Sequence, residues 1–117
     1  MTTFGCWVRE RRESLREDNP DYSIRRVAQG MGIQPSYLSK VERDEVAPPS
    51  EETTRKLADV LNVDEDELLA RAGKVSSDLQ KLIRKRPVQW AKLIRGLREM
   101  PDDDVLRLVR EVRDGEW

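Results

Sequence analysis

The sequence contains no histidine and a single cysteine, Cys6. Zinc centres and the Ser-His and Cys-His nucleophilic pairs need imidazole or several thiolates, so none can be assembled from it. An intrachain disulfide is excluded for the same reason, and Cys6, beside Trp7, is expected as a packing residue in a protein of a reducing compartment. Aromatic residues make up 5% of the chain against 38% charged, which points to short helices with solvated outer faces around a thin core. No apolar run approaches the roughly 18 residues of a membrane span, and the opening Met-Thr-Thr-Phe-Gly-Cys-Trp-Val, followed by charge, lacks the form of a signal peptide. A cytoplasmic protein with no membrane partner is expected.

A strong excess of one charge is also missing. The net charge is −1 and the pI is near 5.6, whereas an isolated nucleic-acid-binding domain is often markedly basic. The distribution is uneven, with eight basic and eight acidic residues in 1–50, four and seven in 51–75, and ten and eight in 76–117. A basic face therefore has to be found locally. The 117 residues suffice for one compact domain and a short second unit.

What is present is helical periodicity. Phe4, Val8 and Leu15 form the stripe of a first helix over 3–17, with Thr3 as N-cap, although Arg11 interrupts the stripe. Asp18-Asn19-Pro20-Asp21 ends it in a loop. Ser23 caps a second helix over 24–31, in which Val27, Ala28 and Met31 face inward while Arg25, Arg26 and Gln29 face out. Gly32 suits the left-handed position that stops it, and Ile33 staples the turn. A third helix starts at about Gln34, with Pro35 tolerated in its first turn. Two helices joined by a tight glycine turn make a helix-turn-helix.

At about 100° per residue, Ser36, Ser39, Lys40 and Arg43 fall on one face of that third helix, and Leu38 and Val41 on the other. The outer face is small, polar and basic, as a helix that approaches the edges of DNA bases must be. Periodicity alone also describes an ordinary surface helix; the glycine turn and the caps favour the first reading. Ser50, with Glu51 and Glu52 behind it, opens a fourth helix carrying Leu57, Ala58, Val60 and Leu61. Asp64 and Glu67 form a capping box for a fifth, with Leu68 and Leu69, closed by Ala72-Gly73.

The run Ser23-x-x-x-Val27-Ala28-x-x-Met31-Gly32-Ile33-x-x-Ser36-x-Leu38-Ser39-Lys40-Val41-Glu42-Arg43, then Pro49-Ser50 and Leu57-Ala58-x-x-Leu61-x-Val63-x-x-x-Glu67-Leu68-Leu69, resembles the Xre/Cro, lambda-repressor-like family over residues 3–72. The resemblance implies an all-α, five-helix domain that binds double-stranded operator DNA as a homodimer in a prokaryotic or phage setting. It places Pro35, Ser36, Ser39 and Lys40 toward base edges, Gln34 and Tyr37 near the DNA backbone and Arg43 on phosphate. Arg25 and Arg26 complete the expected contact set. The resemblance also implies a structural salt bridge between Arg12 and Glu42. Three departures stand out: Ile24 replaces a common glutamine, about five extra residues lie around 16–21, and Pro35 stands where a hydrogen-bonding side chain often reads a base. No operator sequence follows from the resemblance.

Residues 76–117 lie outside it and form a helical region of about three amphipathic segments. Ser77 and Gln80 are expected to cap the first, bearing Leu79, Leu82 and Ile83; Pro87 starts the second, with Trp90, Ile94 and Leu97; Pro101 and Asp102 to Asp104 open the third, with Val105, Leu108, Val109 and Val112. Those apolar residues of the last two segments are the candidate dimer or partner interface. The cations between Lys81 and Arg98 read as a solvated face, a supplementary phosphate track or a surface for an acidic partner. The acidic clusters at 64–67 and 102–104 are explained by helix capping and dipole effects, so no metal, cofactor or enzymatic activity is expected. The expectation is a dimeric transcriptional regulator, a repressor, reading the major groove with residues 34–44. The alternative is an antitoxin or partner-controlled module that binds a toxin or a regulatory protease and autoregulates through DNA.

Overall fold

A computed structural model describes residues 2–115. These form eight α-helices and one short 3-10 turn, with no strand among them. The chain divides into an amino-terminal unit ending at Ser76 and a carboxy-terminal unit beginning at Ser77.

In the amino-terminal unit, α1 spans Phe4–Arg16, α2 Ile24–Met31, α3 Pro35–Glu42, α4 Glu51–Leu61 and α5 Glu65–Arg71. Hydroxyl and carboxylate caps start them: Thr3, Ser23, Ser50 and Asp64 each accept the backbone N–H three residues on. Each cap satisfies a donor that the helix itself leaves open. The insertion after α1 is not wholly irregular, because Pro20–Tyr22 forms the 3-10 turn, capped by the Asn19 side chain.

Four helices end in one way. The N–H of Ile33, Glu45, Val63 and Lys74 bonds to the carbonyl five residues back, and the residue before each, Gly32, Asp44, Asn62 and Gly73, is left-handed. Glycine reaches that region without cost, and asparagine and aspartate reach it more readily than other side chains. The core is drawn from all five helices: Phe4 and Val8, Val27, Ala28 and Met31, Leu38 and Val41, Leu57, Ala58 and Leu61, Leu68 and Leu69. Each fully buried leucine contributes about 1.5–3 kcal/mol of transfer free energy.

Cys6 is exposed and is not a packing residue. Two positions after Phe4 it lies about 200° around the helix, away from the Phe4–Val8 stripe. Its Sγ–H donates to Glu10 at 3.5 Å, and that bond, with lesser help from local desolvation and the Glu10 charge, pushes the thiol above its ordinary value. Arg11 completes a different contact: its guanidinium donates to the carbonyls of Leu61 and Asn62 at 3.1 and 3.3 Å, capping the end of α4. The stripe of α1 runs instead through buried Arg12.

The carboxy-terminal unit comprises α6 Ser77–Lys85, α7 Pro87–Arg98 and α8 Asp102–Asp114. Ser77 is the first helical residue of α6. No described residue of the three helices is buried.

Candidate nucleic-acid interface

The turn between α2 and α3 aims the third helix. Gly32 is left-handed at φ 71°, and Ile33, packed on the core, returns its N–H to Ala28 at 3.0 Å. Gln34 caps α3 through its backbone only, and Pro35 occupies the first helical position. Leu38 and Val41 are almost fully buried, so rotation of α3 about its axis would expose both. The helix ends at Glu42, so Arg43 is its C-cap and Asp44 lies beyond it.

Two further contacts hold the far end of α3. Arg12 on α1 grips Glu42 through two hydrogen bonds, Nε to Oε2 at 2.7 Å and Nη2 to Oε1 at 2.9 Å, with both side chains about 3% exposed. Arg12 also donates to the Tyr22 carbonyl at 3.1 Å and to Glu13 at 3.1 Å. Hydrogen bonding to Glu42 raises the affinity of the guanidinium for its proton against the cost of desolvation, so it stays charged at every working pH. Past the helix, the Asp44 carboxylate accepts the Thr3 hydroxyl at 2.6 Å and the Gly5 N–H at 3.0 Å. A Cβ on Gly5 would fall on the Val41 carbonyl oxygen and within 2.8 Å of that of Glu42. Glycine is what lets α1 approach this closely.

The outward side of α3 is thereby presented on a fixed frame. Ser36, Lys40 and Arg43 are exposed, and Pro35, Tyr37 and Ser39 are half-buried, Tyr37 against the core. Lys40 has no carboxylate within 4 Å among the described residues. Arg43 is held by Glu45 at 3.2 Å, a pair more than half exposed on both sides, and therefore one that a phosphate can exchange at a cost of about 0–1 kcal/mol. On α2, Arg25 and Arg26 are exposed, and Arg26 lies 3.8 Å from Asp21.

Residues 13–68 match the family model described as helix-turn-helix, of the Xre, lambda-repressor-like type. Residues 13–68 are a helix-turn-helix of the Xre type. The match takes in α2, α3 and α4 whole, spans just under half of the chain, and stops short of the carboxy-terminal unit. No curated protein and no solved structure matches the chain. At family level this is the DNA-binding domain of a transcriptional regulator.

In this helix-turn-helix the Arg12–Glu42 pair is present as the resemblance implied. Two residues absent from the expected contact set lie beside α3. Arg9 and Arg16 of α1 line an open cleft of about 390 Å3 with Ser39 of α3 and its C-cap Arg43. Their spacing, Arg9, Arg12 and Arg16 at i, i+3 and i+7, puts three guanidiniums on one side of α1, and the same periodicity that revealed α3 would have shown it.

In the carboxy-terminal unit, Trp90, Leu97, Val105 and Leu108 are half-buried, and Ile94, Val109 and Val112 are exposed. Leu82, Trp90, Leu93 and Val112 line a groove of about 540 Å3 with Lys85 and Arg86 beside it. No helix among the described residues is long and apolar enough to cross a membrane.

Proposed function

We propose that the chain is a sequence-specific, dimeric transcriptional repressor that inserts α3 into the major groove of its operator. The observation that carries this reading is the outward face of α3: Ser36, Ser39, Lys40 and Arg43 on a helix locked from behind by Leu38, Val41 and the Arg12–Glu42 pair. Lys40, exposed and in no ion pair among the described residues, donates to guanine O6 and N7; Ser36 and Ser39 add weaker contacts that serve as donor or acceptor. Pro35 offers no hydrogen bond, so its contact is apolar. Gln34, Tyr37, Arg25, Arg26 and Arg43 set register on the phosphates. Repression asks the least of such a chain, because occupancy of the operator alone blocks another protein there.

Dimerisation through the carboxy-terminal unit is supported by its uncovered apolar surface. Leu93 and Ile94 are 45% and 47% exposed, and Val109 and Val112 are 53% and 59%. A unit of about 40 residues rarely holds itself together without a core, so these faces need a cover. A second copy supplies one and places two recognition helices on half-sites about one turn apart. The same surface supports a second reading, in which α6–α8 clasp a toxin or a regulatory protease and DNA binding serves autoregulation. Selection of bound sequences from a random duplex pool, with sedimentation of the pure protein, tests both. A twofold motif and a dimer support the first reading. A monomer in sedimentation with no enriched motif removes it.

A further inference from the structure

Two of the arginines assigned above to the DNA backbone are already occupied. Arg43, the C-cap of α3, donates to the Glu45 carboxylate at 3.2 Å, and Arg26 of α2 lies 3.8 Å from that of Asp21. Both pairs are more than half exposed at each end, so neither adds much to the stability of the fold. Arg25 and Lys40, on the same two helices, have no carboxylate within 4 Å among the described residues. The pairing therefore falls on arginines assigned to phosphate and spares the lysine assigned to a base.

Neither carboxylate is carried on a loose tether. Glu45 follows the left-handed Asp44, whose own carboxylate is tied to Thr3 and Gly5, and the Glu45 N–H donates to the Lys40 carbonyl at 2.9 Å. Asp21 sits in the 3-10 turn, where its N–H donates to the Asn19 side chain at 2.9 Å. Beside it Tyr22 packs on the core, and Arg12 holds the Tyr22 carbonyl at 3.1 Å. Asp21 belongs to the extra residues after α1, so this insertion brings a negative charge to α2. A carboxylate presents a guanidinium with the same two-oxygen fork as a phosphate. DNA that takes either arginine leaves an unpaired acid beside a polyanion, which costs affinity. The balance of eight basic and eight acidic residues in 1–50 agrees with such a restraint.

We propose that Asp21 and Glu45 are built-in competitors of DNA phosphate, which hold Arg26 and Arg43 in the free protein and limit the grip of α2 and α3 on the backbone. The proposal rests on the DNA-binding reading above. Sequence-independent binding is supplied by phosphate contacts, so the competition weakens attachment to every duplex, and the Lys40 base contact decides where the chain stays.

The test uses the full chain and measures binding to a selected and an unrelated duplex over a range of salt. Asp21→Asn and Glu45→Gln are each expected to tighten both duplexes by the same factor, about two- to fivefold, with base preferences unchanged. Each should also steepen the slope of log K against log salt by up to about one unit, because no freed acid takes up a cation. Asp66→Asn makes the same charge change on α5, which packs on α4, and sets the level of a general charge effect. In an Arg43→Gln background the gain from Glu45→Gln should shrink to that level, as should the gain from Asp21→Asn in an Arg26→Gln background. Unchanged affinity and slope, a gain confined to particular base pairs, a gain as large without the partner arginine, or an equal gain from Asp66→Asn overturns the proposal while DNA binding stands. A wild-type chain with no salt-dependent binding to any duplex removes the underlying reading itself.

Discussion

Replacing Glu42 with alanine removes the acceptor of two Arg12 hydrogen bonds, at 2.7 and 2.9 Å, and leaves a guanidinium in a site where Arg12 is only 2% exposed. Each lost charge-assisted bond is worth about 1.5–3 kcal/mol, and removal of one member of a buried ion pair costs about 3–5 kcal/mol. The Tyr22 carbonyl and Glu13 still accept from Arg12, which favours the lower part of that range. A domain of this size holds about 4–11 kcal/mol in total, so the variant forfeits a large share. With an m-value of about 1–3 kcal/mol/M in urea, its midpoint should fall by about 1 M or more. Trp7 is the sole tryptophan of the amino-terminal unit, so its fluorescence in a Trp90→Phe, Trp117→Phe background isolates the transition. Arg12→Met with Glu42→Leu, which buries no charge, should recover most of the loss. A cost for Glu42→Ala below about 1 kcal/mol, the range of exposed pairs, would refute the reasoning, because α3 would then not be held by this pair.

Gly5→Ala should destabilise the domain by about 1–3 kcal/mol through overpacking against the Val41 and Glu42 carbonyls, whereas Gly96→Ala, with nothing within 4 Å, should be neutral or stabilise α7 by up to about 1 kcal/mol. Equal thermal midpoints for the two variants would contradict the close approach of α1 to α3. The Cys6 thiol, raised by its bond to Glu10, should alkylate more slowly at mildly alkaline pH than a free cysteine and accelerate as pH rises; Glu10→Gln should speed it, and an unchanged rate would remove that bond from the account. Leu93→Asp with Val109→Asp should halve the sedimenting mass and weaken operator binding, and a dimer that survives would place the interface elsewhere.

Local signals of the fold were plainly legible. Thr3, Ser23, Ser50 and Asp64 cap where their chemistry predicts, and Gly32 turns where only a left-handed residue fits. Leu38 and Val41 lie on the buried face that their spacing assigns. Contacts between distant segments were not. Arg11 reads as a flaw in a stripe because a helical wheel cannot show the end of α4, fifty residues away, that it caps. Asp44 reads as a loop acid, yet its left-handed backbone brings its carboxylate to the start of α1. Arg12–Glu42 came from the family resemblance, since thirty residues separate the partners and no periodicity links them. Cys6 departs from the compositional expectation, because thiols are commonly buried whereas its helical phase turns it outward. Arg9 and Arg16, which share a cleft with Ser39 and Arg43, lie on the charged side of α1, which its apolar stripe does not describe.

The claim that α3 reads DNA, with Lys40 as its principal base contact, is met most directly by comparing the sequences selected from a random duplex pool by the wild type and by Lys40→Ala. Lys40 is exposed and takes part in no ion pair among the described residues, so the variant keeps its fold. The wild type should enrich a twofold motif; the variant should bind it about 1–3 kcal/mol more weakly and lose preference at one base pair in each half-site. The same motif enriched with the same preferences by both proteins would contradict that reading of the helix.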